Sequence, residues 1–185
     1  KNFEGELDIK NNKLFLAKIN AVLENESKFS YSLRTTMNNE NITNIFIEKP
    51  RPFINNYKFI KGFDEGELKL SSIKIDNTSR SKLKISNFKV KEVPVLAKIL
   101  TLADLQGIAD FLTGEGIRFN EFEMDYKTKY NLTEIVEMYA LGPAISIMME
   151  GYIEKDRITS LRGTLVPATT INKKIAKIPL LGNIL

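Results

Sequence analysis

The chain has 185 residues, 43% of them hydrophobic and 27% charged, with 27 basic against 23 acidic side chains for a net charge of +4, and it contains neither His nor Cys. Without His the usual general base and the commonest zinc ligand are missing, and without Cys there are no disulfides or thiolate metal sites, which is compatible with cytoplasm or periplasm. The basic residues are spread through a Lys-, Asn- and Ile-rich sequence with no dense cluster interleaved with aromatics, so hydrolase, metalloenzyme and nucleic-acid readings all lack their residues.

That length serves one domain with a sizeable core, or a slice of a longer repeating structure. The start at Lys1 without Met and the end in mid-pattern at Ile184-Leu185 favour the slice. There is no signal peptide pattern and no uncharged apolar run of about 18 residues to span a bilayer, so any membrane anchor is expected outside this segment.

From Lys1 to Arg34 the chain reads as strands. Leu7 and Ile9 alternate, Asn11-Asn12 supplies a two-residue turn, and Phe29, Tyr31 and Leu33 alternate again. Residues 35–62 read differently. Asn38–Asn44 is a polar loop, Ile45-Phe46-Ile47 is a short apolar run, and Pro50 and Pro52 forbid a central strand, which places an edge or a connection here.

From Phe63 the pattern sharpens. Leu68 and Leu70 share a face, then Ile73 and Ile75, then Leu83 and Ile85, then Phe88 and Val90, with a parity shift at each step. Shifts at Ser71-Ser72 and Ser86-Asn87 are what bulges or bends produce, and bulges increase twist, so a strongly curved sheet is expected.

The stretch Val93–Gly116 is the only long segment that reads as helix. One straight helix would spread Lys98, Asp104 and Asp110 at azimuths about 120° apart, leaving no clean polar face. Thr101-x-x-Asp104 offers a capping box that splits the stretch in two. Pro94 then opens a short first helix, and a second runs from about Leu102 to Thr113 with Gly114 as its stop and Leu102, Leu105, Ile108, Ala109 and Leu112 on one arc. At roughly 1.5–3 kcal/mol per fully buried large aliphatic side chain, this pair must lie on an apolar sheet face.

Beyond the helices, Phe122, Met124 and Tyr126 face one way while Glu121, Glu123, Asp125, Lys127 and Lys129 face the other, the mark of an antiparallel strand wet on one side. Ile145, Ile147, Met149, Gly151 and Ile153 repeat the alternation, and Ile158, Leu161 and Leu165 come after the turn Glu154–Arg157. A faint echo links Phe3-Glu-Gly-Glu-Leu7, Phe63-Asp-Glu-Gly-Glu-Leu68 and Phe119-Asn-Glu-Phe122, a spacing that suggests several strands per repeat. Thr169–Lys177 reads as a short amphipathic helix, with Ile171, Ile175 and Ile178 on one side and Lys173, Lys174 and Lys177 opposite or flanking. Such a helix either caps the end of the sheet or touches an anionic membrane surface.

No motif in the chain carries covalent chemistry. Ser79-x-x-Lys82 has the spacing in which Lys activates Ser one helical turn away, yet it falls between strands and lacks companion motifs. Gly114-Glu-Gly116 ends a helix instead of opening one, so it reverses the chain and does not cradle phosphate. The carboxylates Glu121, Glu123 and Asp125 are flanked by Lys127 and Lys129 and read as the wet side of a strand, not as an acid/base pair or a calcium cluster. No catalytic residue, metal ligand or cofactor is therefore assigned.

The end of the chain carries a resemblance. Gly163-Thr-Leu-Val-Pro-Ala168, then Ile171-Asn172, then Ile178-Pro-Leu-Leu-Gly-Asn-Ile-Leu185 resembles the C-terminal signature of the AsmA-like family, the AsmA, TamB and YhdP type of envelope protein. Upstream, Pro94-Val-Leu-Ala-Lys-Ile-Leu-Thr-Leu-Ala-Asp-Leu-Gln-Gly-Ile108, Gly114-Glu-Gly-Ile-Arg-Phe119 and Leu141-Gly-Pro-Ala144 look like the preceding parts of the same domain in the same order, so that the resemblance covers about residues 63–185 and residues 1–62 join it by position.

The resemblance implies the periplasmic part of a Gram-negative envelope protein, anchored in the inner membrane by a helix outside this segment, whose long β-sheet folds into a groove and carries phospholipid toward the outer membrane. The expected fold is mainly β with a short helical pair, a curved antiparallel sheet forming a groove, with helices near residues 94–113 and a short C-terminal helix. On that expectation phospholipid acyl chains would line up against Leu68, Leu70, Ile73, Ile75, Leu83, Ile85, Phe122, Met124, Tyr126, Ile145, Ile147 and Met149. Exposing the roughly 30 methylenes of a two-chain lipid costs about 25 kcal/mol at ~0.8 kcal/mol each, and an apolar trough removes most of that barrier. Flexible Met side chains suit a disordered chain. Two other outcomes stay open: the same stripes forming a closed sandwich core under the helices, and a structural or assembly module that pairs its sheet edge with an envelope protein partner.

Overall fold

The computed structural model describes residues 2–23, 26–54, 61–91, 93–102 and 114–167. Its architecture is mainly β, a single antiparallel sheet that does not close into a barrel. Ten strands succeed one another in space as they do in the chain: β1 (Asn2–Lys10), β2 (Lys13–Val22), β3 (Lys28–Thr35), β4 (Asn41–Ile47), β5 (Lys61–Ile75), β6 (Thr78–Lys91), β7 (Ile117–Lys129), β8 (Leu132–Leu141), β9 (Ile145–Glu154) and β10 (Ile158–Pro167). A short helix α1 (Arg51–Ile54) lies between β4 and β5, and α2 (Pro94–Leu102) between β6 and β7.

An up-and-down meander sends alternate connections to opposite ends of the sheet. The tight turns at 11–12, 76–77, 130–131 and 155–157 share one end with 36–40, while α1 and α2 belong to connections at the other. The β1–β2 turn forms where it is expected. Asn11 and Asn12 both adopt positive φ, 49° and 60°, the backbone that matches the right-handed twist of a hairpin and that Asn tolerates best among residues with a Cβ.

The core collects at the helical end of β5 to β9. Phe63, Phe88 and Phe119 stack in sequence with ring centroids 5.4 Å apart. Ile85, Val90, Ile117, Ala140, Ile145 and Ile147 surround them, and α2 brings Leu96, Ala97 and the fully enclosed Leu100 onto the same cluster. Ile54 of α1 joins it from the side, and Phe53 stacks on Phe29 at 5.9 Å. The helix opens at Pro94, as the sequence predicts. Thr101 lies inside α2, where its hydroxyl donates back to the Ala97 carbonyl at 3.0 Å. The expected second helix over 103–113, with Asp104, and the C-terminal helix, with Ile171, Lys173, Lys174, Ile175, Lys177 and Ile178, lie outside the described residues.

Of the two parity shifts expected after Phe63, one is present. Asn87 has a φ of 52°, and opposite it in β5 Glu65 and Gly66 have φ of 61° and 85°. The ladder skips from Glu67↔Ser86 to Glu65↔Phe88, and this double kink turns Phe63 and Phe88 onto the same side as Leu68 and Ile85. The shift expected at Ser71-Ser72 does not occur. From Glu67↔Ser86 to Ile75↔Thr78 the β5–β6 register runs uninterrupted, so Ile73 and Ile75 point away from Leu68 and Leu70. A second correction concerns residues 35–62. Asn41–Ile47 is an interior strand, paired on both flanks, and the connection begins only after Ile47. Its asparagines are tolerated because Asn41 lies at the end where the uncharged face turns polar and Asn44 lies on the wet face between Ser32 and Ser71.

Candidate functional site

Directly paired residues in an antiparallel ladder share a face, so the register sorts every strand into two sides. On one side, four rows cross the strands. Nearest the helices runs Phe3, Ala21, Phe29, Ile47, Leu68, Ile85, Phe122, Ala140, Ile147 and Leu165, one residue from each strand and all apolar. The second row is Gly5, Ile19, Tyr31, Ile45, Leu70, Leu83, Met124, Met138, Met149 and Gly163. The third, Leu7, Ala17, Leu33, Thr43, Ser72, Ser81, Tyr126, Ile135, Gly151 and Leu161, is mixed. The fourth, running from β3 to β10, is Thr35, Asn41, Lys74, Ser79, Thr128, Thr133, Ile153 and Thr159, and is mostly hydroxyl and amide.

Burial separates these rows by what they can do. In the first row Ile47, Ile85, Ala140 and Ile147 are buried, and the half-buried Leu68, Phe122 and Leu165 pack against the core. In the second, every side chain between the two terminal glycines is half-buried and none is shut away, although Leu83 and Met149 also touch the core. Ten strands spaced about 4.8 Å apart make that strip roughly 43 Å long. The polar groups beyond it satisfy one another: Ser81 donates to Ser72 at 2.8 Å, Thr35 to Asn41 Oδ1 at 2.8 Å, and Thr128 and Thr133 lie 3.2 Å apart. The face therefore grades along the strand direction, from a sealed aromatic core through an accessible apolar strip to a hydroxyl-lined margin.

The opposite side is wet and charged. Lys82 bonds Glu123 at 2.5 Å and lies 3.8 Å from Asp125, and Lys84 pairs with Glu121 and, at 3.6 Å, with Glu123. Hydrogen bonds donated by Lys82 to Glu123 and by Lys84 to Glu121 hold the two lysines above their ordinary pKa. Burial opposes ionisation of Glu123, yet the hydrogen bond and charge of Lys82 outweigh it and leave that carboxyl below its usual range. Tyr139, which directly faces Glu123 across β7 and β8, has its phenol pushed far up by burial and by that neighbouring negative charge. A hollow of about 660 Å³ opens on this polar side, its walls including Lys18, Asn20, Ser32, Asn44, Phe46 and Lys84.

No family model, curated protein or solved structure matches this chain.

Ten of the twelve side chains expected along an apolar face share one side: Leu68, Leu70, Leu83, Ile85, Phe122, Met124, Tyr126, Ile145, Ile147 and Met149. Ile73 and Ile75 are corrected to the other side, 48% and 47% exposed beside Arg80 and Thr78. Ile85, Ile145 and Ile147 are core residues, which leaves the accessible members centred on Leu70, Leu83, Met124 and Met149. Ser79 and Lys82 point to opposite faces, so the serine-lysine spacing brings nothing together. Glu121, Glu123 and Asp125 lie on the wet side against lysines.

The second-row members Ile19, Tyr31, Ile45 and Met138 were not singled out in the sequence. Their signal was the alternation Phe29-Tyr31-Leu33 and the pair Ile45 and Ile47, which could have been joined to Leu68 and Leu70 only with the register in hand. Among the described residues no group of acidic side chains could hold a metal ion, and no helix is long and apolar enough to cross a membrane.

Proposed function

We propose that this chain binds the acyl chains of phospholipid along the second row of its uncharged face and passes them without covalent chemistry, as a periplasmic lipid-transfer segment of the AsmA-like kind. One observation supports this above the others. An apolar row crosses all ten strands without a charged residue, and between its terminal glycines it is neither sealed by the core nor fully exposed. An ordinary closed core would bury such a row, and a purely structural sheet would have no reason to keep it uninterrupted from edge to edge.

The physical action comes from the gradient. Hydrocarbon gains about 0.8 kcal/mol per methylene removed from water, so a chain lying on the strip is held by contact area alone. Nothing along the row is specific, which lets a bound chain shift from strand to strand with little change in energy. Met124, Met138 and Met149 stand consecutively in it and adapt to a chain of irregular shape. The buried members of the first row, Ile47, Ile85, Ala140 and Ile147, give the strip a rigid floor on one side.

The test is native mass spectrometry of the purified chain after incubation with vesicles of dioleoylphosphatidylglycerol and dioleoylphosphatidylethanolamine. Bound phospholipid that survives transfer to the gas phase supports the proposal, and Leu70→Asp should remove it. A folded monomer that retains no lipid overturns it and favours the alternative, a structural module using the open edges of β1 or β10 to pair with an envelope protein.

A further inference from the structure

Across the four rows of the uncharged face, among the described residues, one side chain carries a charge. It is Lys74, in the fourth row, exposed, directly opposite Asn41 on one flank and Ser79 on the other. Every other lysine or arginine of β5 and β6 whose side chain is described points to the wet face or belongs to a turn. Lys69, Lys82 and Lys84 there have carboxylate partners, at distances down to 2.5 Å for Lys82. Among the described residues Lys74 has none. Asn41 uses its side-chain oxygen to accept from Thr35, which leaves its amide nitrogen as a donor next to the ammonium.

We infer that Lys74 is the anchor for the negatively charged headgroup of a phospholipid whose tails lie on the apolar rows. The inference rests on the lipid-binding reading above and names the class of lipid. Three features lead to it. Over β5 to β9 the helical end of the face is closed by the stacked phenylalanines and α2, so a headgroup cannot be placed there without burying a charge. The other end offers hydroxyls, an amide and, among the described residues of the four rows, one ammonium, so an amphiphile has one favourable direction on this surface. The distances also match. Lys74 stands four residues beyond Leu70 on β5, about 13 Å at ~3.3 Å per residue, and half of a ~30 Å hydrocarbon core is about 15 Å. A lipid held at Lys74 therefore covers the second row with its tails while its headgroup stays at the margin of the sheet, beside the tight 76–77 turn and in contact with water.

An ammonium at such a margin selects by charge-assisted hydrogen bonding, which is roughly twice as strong as a neutral bond. A neutral amphiphile with the same tails gains the apolar contact and nothing at Lys74. The headgroup partner is thus a phosphate diester, whose anionic oxygens accept from the ammonium.

The decisive measurement compares two lipids with identical chains, dioleoylphosphatidylglycerol and dioleoylglycerol, binding to the full chain and to Lys74→Gln and Lys74→Arg. Affinity is read by native mass spectrometry titration, with far-UV circular dichroism to show that each variant is folded. The chain should prefer the phosphatidylglycerol, Lys74→Gln should weaken it by about tenfold while leaving dioleoylglycerol unchanged, and Lys74→Arg should restore it. A folded Lys74→Gln that keeps the preference overturns the anchor and leaves the trough standing. Equal loss of both lipids in Lys74→Gln also overturns it, since the residue would then act on the sheet and not on the headgroup. If the unaltered chain binds neither lipid, the trough and the anchor fall together.

Discussion

Glu123 lies between Lys82 and Lys84 on the wet face with the Tyr139 hydroxyl as a further partner. Its carboxyl titrates below the ordinary value of 4.5 although burial alone would raise it, because the Lys82 hydrogen bond and charge prevail. A carboxyl held low in the folded state contributes stability that is fully present above the unfolded value and is lost as pH falls through the folded one. Urea denaturation from pH 6 toward pH 3 should therefore show a steady loss, and Glu123→Gln should flatten it, with about 4.5 as the pH below which the unaltered protein's curve falls toward that of the variant. Lys82 works in the opposite sense. Its pKa is raised above 10.5, mainly by the Glu123 hydrogen bond, so its contribution persists at neutral pH and is lost only on going above that value. Gly66 acts through the backbone. Its φ of 85° and a virtual Cβ only 2.9 Å from Phe88 Cβ leave no room for a side chain, so Gly66→Ala should lower unfolding free energy by about 1–2 kcal/mol or more, read from the urea midpoint at constant m-value. The Glu123 pairing was legible as a strand with a wet side, whereas Tyr139 was not. Its partner lies across a ladder whose register a bulge resets at Asp125/Tyr126.

At the scale of single elements, α2 and β7 make contrasting predictions. Leu100 is fully enclosed against the aromatic stack, so Leu100→Ala should cost about 2–5 kcal/mol with a matching fall in melting temperature. Met124 is half-buried in the second row, and Met124→Ala should cost about 1 kcal/mol or less, since part of its surface already meets water. Similar losses at the two positions would mean that the second row is core. The strand β7 was readable because its alternation is complete, charged and apolar residues taking strict turns from Glu121 to Lys127. In β5 the alternation misled. Serines at positions 71 and 72 look like a break in parity, but Ser72 remains on the uncharged face and is satisfied there by Ser81, so Ile73 is carried to the wet side. For β4 the cause is different. Asn41 and Thr43 look like loop residues and become strand because both neighbours supply ladder bonds. The recurrent Phe-Glu-Gly-Glu-Leu chemistry divides in a similar way. Phe63 and Phe119 share one stack through Phe88, while Phe3 lies 73% exposed on the edge strand.

For the whole molecule, the sidedness of the sheet can be tested with one paired comparison. Leu70→Asp and Ile73→Asp place the same charge three residues apart on opposite faces of β5. If the uncharged face holds lipid, the first should abolish phospholipid retention and the second should leave it within about twofold, measured by lipid extraction from equal amounts of folded protein. Loss with both, or with neither, would remove the apolar strip from the account of function. What the amino-acid sequence determined by itself was local. Period-2 alternation, Asn-Asn at a hairpin, Pro at a helix start and the absence of His and Cys depend only on residues a few positions apart, and they were enough for a mainly β chain with few helices. What only the tertiary structure decided was how ten strands line up. Whether Leu70 meets Leu83 and Ile45, or whether Ile73 shares their face, depends on inter-strand register, and a slip or bulge of one residue reverses every side chain beyond it. The continuous apolar row and the placement of Lys74 beside it exist only once those registers are set, because they are properties of pairing across strands and of no single segment.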